Sequence, residues 1–353
     1  MTLSEDQAKE KAEDFENMQL YILIACITVG TIALTFLCCI CINFKSLTLA
    51  IDVIDASADF LNGTKRLILV PIFYFFVTLI FVLVWIGAAG CVISMNKIEV
   101  FPLIPQAKTF NFDSEFNFYS FWYMVFGLCW ITAWLEYTCK FVIQVTAASY
   151  YYNSSPANGE GSAQVMLGFK FAYMNHMGSI AFGSFIIAVV RFIKIVFLYA
   201  AQKFAKASGE NVVAKTIVKI GMCVLSCIER VCDYINSSAY AYIAVSGKGF
   251  CHSALSAFLL QLKHLTKFAF ANLIAKVFIF IGKIAITAAN CYSLLMIMTH
   301  ITKDTEEVSS YLGPFAVVGV FTFFTASIFL GLFDTSVLAL LTCLSIDMDC
   351  NGD

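Results

Sequence analysis

The chain has 353 residues, is 60% hydrophobic and only 13% charged, and carries a formal net charge of −2. A water-soluble domain is about half apolar and about a quarter charged, so this composition excludes one and defines an integral membrane protein, as does the mean hydropathy of +0.82. The balanced charge, without a basic patch interleaved with aromatics, excludes nucleic acid as a partner.

Residues 1–17 form an acidic, polar segment (Glu5, Asp6, Glu10, Glu13, Asp14, Glu16). They have neither the basic start of a signal peptide nor the Arg-rich character of a transit peptide, so the first apolar run is expected to stay in the mature protein. From there, residues 18–343 read as a single transmembrane helical domain, followed by a polar tail at 344–353. The first span, 18–42, is long enough for a hydrocarbon core of about 30 Å.

Residues 45–62 change character. Leu47, Ala50, Ile51, Ile54, Ala58 and Leu61 recur at helical spacing, with Asp52, Asp55, Asp59 and Asn62 opposite them. This predicts an amphipathic helix on the membrane surface or under a neighbouring helix. A second span covers 67–94, with Pro71 near its start, where a missing N–H costs little. A polar loop with Pro102 and Pro105 follows.

The third segment, 118–152, is apolar for longer than one crossing needs, so it tilts or its end leaves the lipid. The fourth, 178–198, carries Ser179/Gly183 and Ser184/Ala188, small pairs that allow close helix contact, and Arg191 and Lys194 near its end. Residues 210–235 read as an interfacial amphipathic helix. The fifth segment, 239–262, is weakly apolar and rich in small residues, and reads as re-entrant or shielded by protein. Segments at 269–298 and 311–343 complete the set. The expected fold is therefore all-α: a polytopic membrane protein of about seven hydrophobic segments with amphipathic interfacial helices. Lys45, Lys65 and Arg66 place the first linker inside and, on a count of seven crossings, the C-terminus inside as well. That count leaves the basic stretch from Lys203 to Arg230 outside, a conflict the sequence does not resolve.

The chemistry expected of these segments is binding rather than catalysis. The histidines (His176, His252, His264, His300) are scattered, and no nucleophile elbow or phosphate loop appears. No catalytic residue, metal or cofactor is expected, and the protein does not read as an enzyme. The charges inside apolar segments carry the signal, because a mid-bilayer charge costs about 2.5–3.5 kcal/mol and faces a partner or a cavity. Glu136 and Lys140 stand at i,i+4, either as a satisfied structural pair or on a substrate pathway. Trp130, Trp134 and Tyr137 form an aromatic stripe, either packing or part of a quaternary-ammonium cage. Lys276 and Lys283 project from one helix face, and Asp334 is a candidate partner for Lys283.

Four stretches carry a resemblance: SLTLAIDVIDAS at 46–57, GLCWITAWLEYTCKFVIQVTAASYYY at 127–152, HMGSIAFGSFIIAVVRFIKIVFLYAAQKF at 176–204, and the region from Asn236 through Ala239, Tyr240, Phe250, Cys251, Ser253, Ala254, Ala257 and Phe258 to Phe280, Gly282 and Lys283, preceded by Cys227, Glu229 and Arg230. In order and spacing they resemble the C-terminal transmembrane core of the choline transporter-like family. The resemblance implies transmembrane transport of choline or a related small organic cation. Together with it, the intramembrane charges and aromatics point to Trp130, Trp134, Glu136, Tyr137 and Lys140 as substrate contacts; the resemblance also implies membrane lipids as surroundings, and the plasma membrane, or an organelle membrane, as location. Family members begin with further spans and a large extracellular loop, and this chain starts at what looks like their fourth span. Lys140 stands where the family tends to have glutamine, and a lysine there repels a cation unless Glu136 neutralises it. A non-transporting structural or lipid-binding subunit, with protein partners in a membrane assembly, or a truncated transporter fragment, is the alternative expectation.

Overall fold

The computed structural model describes residues 18–351 except 20, 25, 32–33, 35–37, 39–40, 96–97, 101–107, 111–114, 155–160, 208–211 and 302–311. The acidic segment 1–17 and part of the first expected span thus lie outside the described residues; within 18–42 a short apolar helix, α1, runs from Tyr21–Thr31. Among the described residues the protein is all-α apart from two three-residue strands in the loop after the second span. These strands, Ile98–Val100 and Lys108–Phe110, pair antiparallel with Glu99 opposite Thr109.

The helices after α1 are α2 (Phe44–Gly63), α3 (Leu69–Ser94), α4 (Glu115–Asn153), α5 (Val165–Lys170), α6 (Met177–Ala207), α7 (Val212–Ser246), α8 (Phe250–Lys263), α9 (Leu265–Ile301) and α10 (Leu312–Asn351). Among the described residues, five helices are long and apolar enough to cross a membrane: α3, α4, α6, α9 and α10. The pair α7 and α8 adds a sixth candidate, bent by 103° at its break.

α4 is 39 residues long, about 58 Å at 1.5 Å per residue, nearly twice the hydrocarbon thickness. It contacts α3, α5, α6, α7 and α10, so the bundle is built around it. α10 is 40 residues long and stays helical through Asn351, into the stretch that reads as a polar tail. Three contacts hold it there: Lys263 and His264 reach Asp349 at 2.6 and 2.9 Å, and the Tyr151 hydroxyl donates to Asp347 at 3.2 Å.

α2 is amphipathic and packs against α9 and α10 with Asp52, Asp55 and Asp59 exposed. Its buried face shares Ala50 and Ile54 with the stripe the sequence suggests but is turned from it. Ala50, Val53, Ile54, Ser57 and Phe60 are buried, while Ile51 is 51% exposed. The difference is a rotation of about one residue, driven by Phe60, whose large ring is fully buried against Tyr150 at 5.2 Å.

The expected segment 239–262 is divided between the end of α7 and α8. Gly247 makes the division, because its φ of +66° is one that a side chain resists and a helix ends there. The helix after it restarts with Gly249 extended and Ser253 N–H bonded to the Gly249 carbonyl at 3.0 Å. At the other approach to the core, Phe171–Asn175 forms a π-turn between α5 and α6, with His176 N–H bonded five residues back to Phe171 at 2.9 Å.

Tyr137, Tyr240 and Phe141 are the large rings at the centre, with Tyr137 and Tyr240 centroids 5.4 Å apart. Asn236 donates to the Gly183 carbonyl at 2.8 Å and the Tyr240 hydroxyl to the Ile180 carbonyl at 3.1 Å, tying α7 to α6. Such bonds matter in a bilayer, where no hydrophobic drive brings helices together. Close approach also needs small residues. A Cβ on Gly168 would sit 2.6 Å from the Val142 carbonyl oxygen of α4, a backbone atom that cannot swing aside, whereas Gly178 has open space. Gly168→Ala should therefore lower stability by about 1–3 kcal/mol, and Gly178→Ala should not. Thermal unfolding of both variants in detergent checks this, and equal melting temperatures would overturn the contact.

Candidate functional site

Three helices place two charged residues each on faces that meet: Glu136 and Lys140 on α4, Arg191 and Lys194 on α6, and Glu229 and Asp233 on α7. The i,i+3 or i,i+4 spacing puts each pair on one side of its helix. Lys140 Nζ lies 2.9 Å from Glu136 Oε1 and 3.1 Å from Asp233 Oδ1. Arg191 spans two acids, reaching Glu136 Oε2 at 3.1 Å and Glu229 Oε1 at 3.3 Å. Lys194 closes the far end on Glu229 Oε2 at 2.8 Å. Three acids and three bases thus neutralise one another in a single ladder across α4, α6 and α7. Both Glu136 oxygens are taken, one by Lys140 and one by Arg191.

Tyr137 adds the aromatic component. Its hydroxyl donates to Asp233 Oδ1 at 2.7 Å, and its ring lies 4.8 Å from Lys140 Nζ. The Lys140 ammonium therefore contacts two carboxylates and one aromatic face, the groups that recognise an organic cation.

Two cavities flank this ammonium. One, of about 470 Å³, lies between α3, α4 and α10, and its lining includes Tyr74, Thr78, Thr132, Glu136 and Lys140. The other, of about 250 Å³, lies between α4, α7, α9 and α10. Lys140, Gln144, Asp233, Asn272, Lys276 and Asp334 are among its lining residues. Lys140 and Thr335 belong to both linings. A larger cavity of about 1000 Å³ lies beside Lys65, Arg66 and Phe169, and among the described residues its lining carries two bases and no acid.

The residues expected from sequence are not all gathered here. Glu136, Tyr137 and Lys140 meet, whereas the two tryptophans line neither cavity. Trp130 donates to the Ala181 carbonyl at 3.2 Å and packs edge-on against Phe185, and Trp134 packs edge-on against Tyr173. Lys276 and Asp334 line the smaller cavity, but no ion pair joins Asp334 to Lys283. Lys283 instead lies 5.8 Å from the Phe323 ring. Arg191, Lys194, Glu229 and Asp233 complete the ladder without having been singled out as site residues. A signal for them existed: two bases at helical spacing on α6 and two acids at helical spacing on α7, equal in number and opposite in sign.

Membrane-spanning helices around a charged, cavity-bearing interior define an integral multi-pass membrane protein. The pattern of the family described as plasma-membrane choline transporter matches residues 27–349, and this chain belongs to that family. Among relatives, the choline transporter-like protein 2 of Dictyostelium discoideum is 25% identical over 334 residues, 95% of this chain and 51% of the relative. The choline transporter-like protein 1 of Xenopus laevis is 24% identical over 99% of this chain and 52% of its own length. The choline transporter-like protein 5 of Xenopus tropicalis is 29% identical over 73% of this chain and 38% of its own length. The chain thus spans about half the length, or less, of these relatives.

The ladder makes a stability prediction. Glu136→Gln alone leaves Lys140 only Asp233 and Arg191 only Glu229, and should destabilise by about 2 kcal/mol, below the value for fully buried pairs because these side chains are partly exposed. Glu136→Gln with Lys140→Gln removes one charge of each sign, leaves Asp233 its Tyr137 bond and Arg191 its Glu229 bond, and should recover most of the loss. Melting temperatures of the single and double variants measure it; a double variant no more stable than the single would refute the pairing.

Proposed function

We propose that this chain moves choline or a related small organic cation across a membrane, the plasma membrane by analogy with its family, with Glu136, Asp233 and Tyr137 as the cation contacts. The observation that supports this most directly is the pair of carboxylates and the aromatic face assembled at one point inside a bundle of membrane-spanning helices, between two cavities. Ionisable groups at that depth are expensive and mark ion and substrate pathways. A cavity of about 250 Å³ is below the roughly 300–1,000 Å³ of drug-sized sites, as a small ion requires. Trp130 and Trp134 brace α4 against its neighbours and are lesser contributors in this reading.

Transport by alternating access would have α3 and α10 open one cavity while α7 and α9 open the other, with the carboxylates between them. The alternative, a structural or lipid-binding subunit, draws support from Lys140, whose own ammonium fills the cation position. Uptake of labelled choline into vesicles containing this chain alone separates the two. Saturable uptake, suppressed by excess unlabelled choline, is the expected result. Uptake no higher than in protein-free vesicles, with the chain folded, would refute transport by this chain and favour the subunit.

A further inference from the structure

We propose that Lys140 is a tethered competitor of the transported cation: its ammonium occupies the substrate's position at Glu136, Asp233 and Tyr137, and yields it by swinging into the smaller cavity, where Asp334 and Gln144 receive it. The inference rests on reading the chain as a carrier of small organic cations, and it names the residue that sets occupancy of the site.

The first position is visible directly. Nζ of Lys140 is 2.9 Å from Glu136, 3.1 Å from Asp233 and 4.8 Å from the Tyr137 ring centroid. A quaternary ammonium seeks the same groups, a counter-charge and an aromatic face. Lys140 lines both cavities, so an occupied first position places its side chain between them. A cation entering from either side meets a like charge.

The second position is marked by two acceptors without donors. Gln144 stands one helical turn after Lys140, at i,i+4, so the two side chains share a face of α4. The Gln144 side chain is fully buried, and its amide nitrogen is fixed on the Ser237 carbonyl at 2.9 Å. That bond leaves its Oε1 as a buried acceptor with no partner. A buried unpaired acceptor carries the full penalty of desolvation, so something polar is expected there in part of the working cycle. Asp334, on α10, lines the same cavity, and among the described residues no ion pair or hydrogen bond is made to its carboxylate. Lysine has a flexible four-carbon stem and a compact head, suited to moving between two such positions as a fixed arginine fork is not. Lys276 also lines the cavity and supplies the like charge that keeps Asp334 from holding Lys140 permanently.

The two positions give the site an exchange logic. With substrate absent, Lys140 neutralises Glu136 and Asp233, and neither acid is left bare in the membrane. With substrate bound, the substrate neutralises them and Lys140 neutralises Asp334. Glu136 and Asp233 thus face a counter-cation in both states, and the charge the substrate adds is met at Asp334.

Tetramethylammonium is the probe, titrated calorimetrically into the full chain in detergent, with a thermal melt of each variant as the control for folding. The parent should bind it weakly. Lys140→Gln should bind it at least tenfold more tightly, because the competitor is gone, and Lys140→Gln with Glu136→Gln should lose that gain. Asp334→Asn, in which no ion pair is broken, should bind about tenfold more weakly than the parent, because the displaced lysine has lost its receiving acid. A folded Lys140→Gln that binds no more tightly than the parent would overturn the competition. Should Lys140→Gln fail to fold, Asp334→Asn decides: parental affinity there would overturn the second position and the exchange with it. Binding by neither parent nor variants would overturn the cation-carrier reading itself, whereas tight binding by the parent with Lys140→Gln unchanged would overturn the exchange alone.

Discussion

The charge ladder across α4, α6 and α7 is the constraint on which the remaining interior depends. Six charges on three packed apolar helices would be costly singly, yet they are neutral together, and every member has an opposite charge within about 3.3 Å. Pairs of this kind contribute little net stability compared with apolar replacements, but they fix geometry sharply, because sliding any one helix by a turn strands a charge. α4 has an apolar sequence nearly all round and could pack in several rotations; Glu136 and Lys140 select one. That rotation puts Tyr137 and Phe141 into the centre and Trp130 and Trp134 towards α6 and the π-turn.

Close packing makes the ladder reachable. Salt bridges of about 3 Å need backbones near one another, and Gly168 and Gly183 supply the approach where α5 meets α4 and α6 meets α7. A Cβ on Gly183 would meet the Tyr240 ring and, at 2.6 Å, the Phe250 ring. Phe250 is the first residue of α8, so the bend at Gly247 is also part of the same interior: it returns α8 to lay Phe250 against Tyr240 and Phe182. The small residues and the charges thus act on the same helix pairs, one setting distance and the other register.

What could be read from the sequence follows the range of each interaction. The Glu136–Lys140 pair was legible because i,i+4 is local to one helix. The class of fold was legible because apolar length over residues 67–94 or 178–198 admits few alternatives. The acid faces of α2 were legible from Asp52, Asp55 and Asp59, but the choice between Ile51 and Val53 as the buried position was not. Both are β-branched aliphatics, and the neighbour that decides, Tyr150 beneath Phe60, is ninety residues away in the chain. Asp233 and Arg191 escaped for the same reason, since their partners on α4 are 93 and 55 residues distant. The aromatic stripe of Trp130, Trp134 and Tyr137 misled in a more instructive way. Helical spacing correctly put the rings on one side of α4, but a helix of 39 residues meets different neighbours along its length, so one face does not make one site.

A tethered cation at the binding position has a quantitative consequence for how such a carrier works. If the acceptor site is free of Lys140 for only about 1% of the time, the apparent dissociation constant rises about a hundredfold, equivalent to about 2.7 kcal/mol. For a carrier this is an advantage within limits. A substrate held by two carboxylates and an aromatic face in low dielectric would leave slowly, and turnover needs release as much as capture. A resident ammonium that returns to Glu136 and Asp233 lowers the barrier to departure, because the acids are re-neutralised as the substrate goes. It also removes the state in which an empty carrier would have to change conformation with two bare carboxylates inside the membrane. The unpaired Asp334 and the donorless Gln144 oxygen are then no defect of packing: they are what allows the lysine somewhere to go, and the cost of the buried Gln144 oxygen is borne only while the site awaits its substrate.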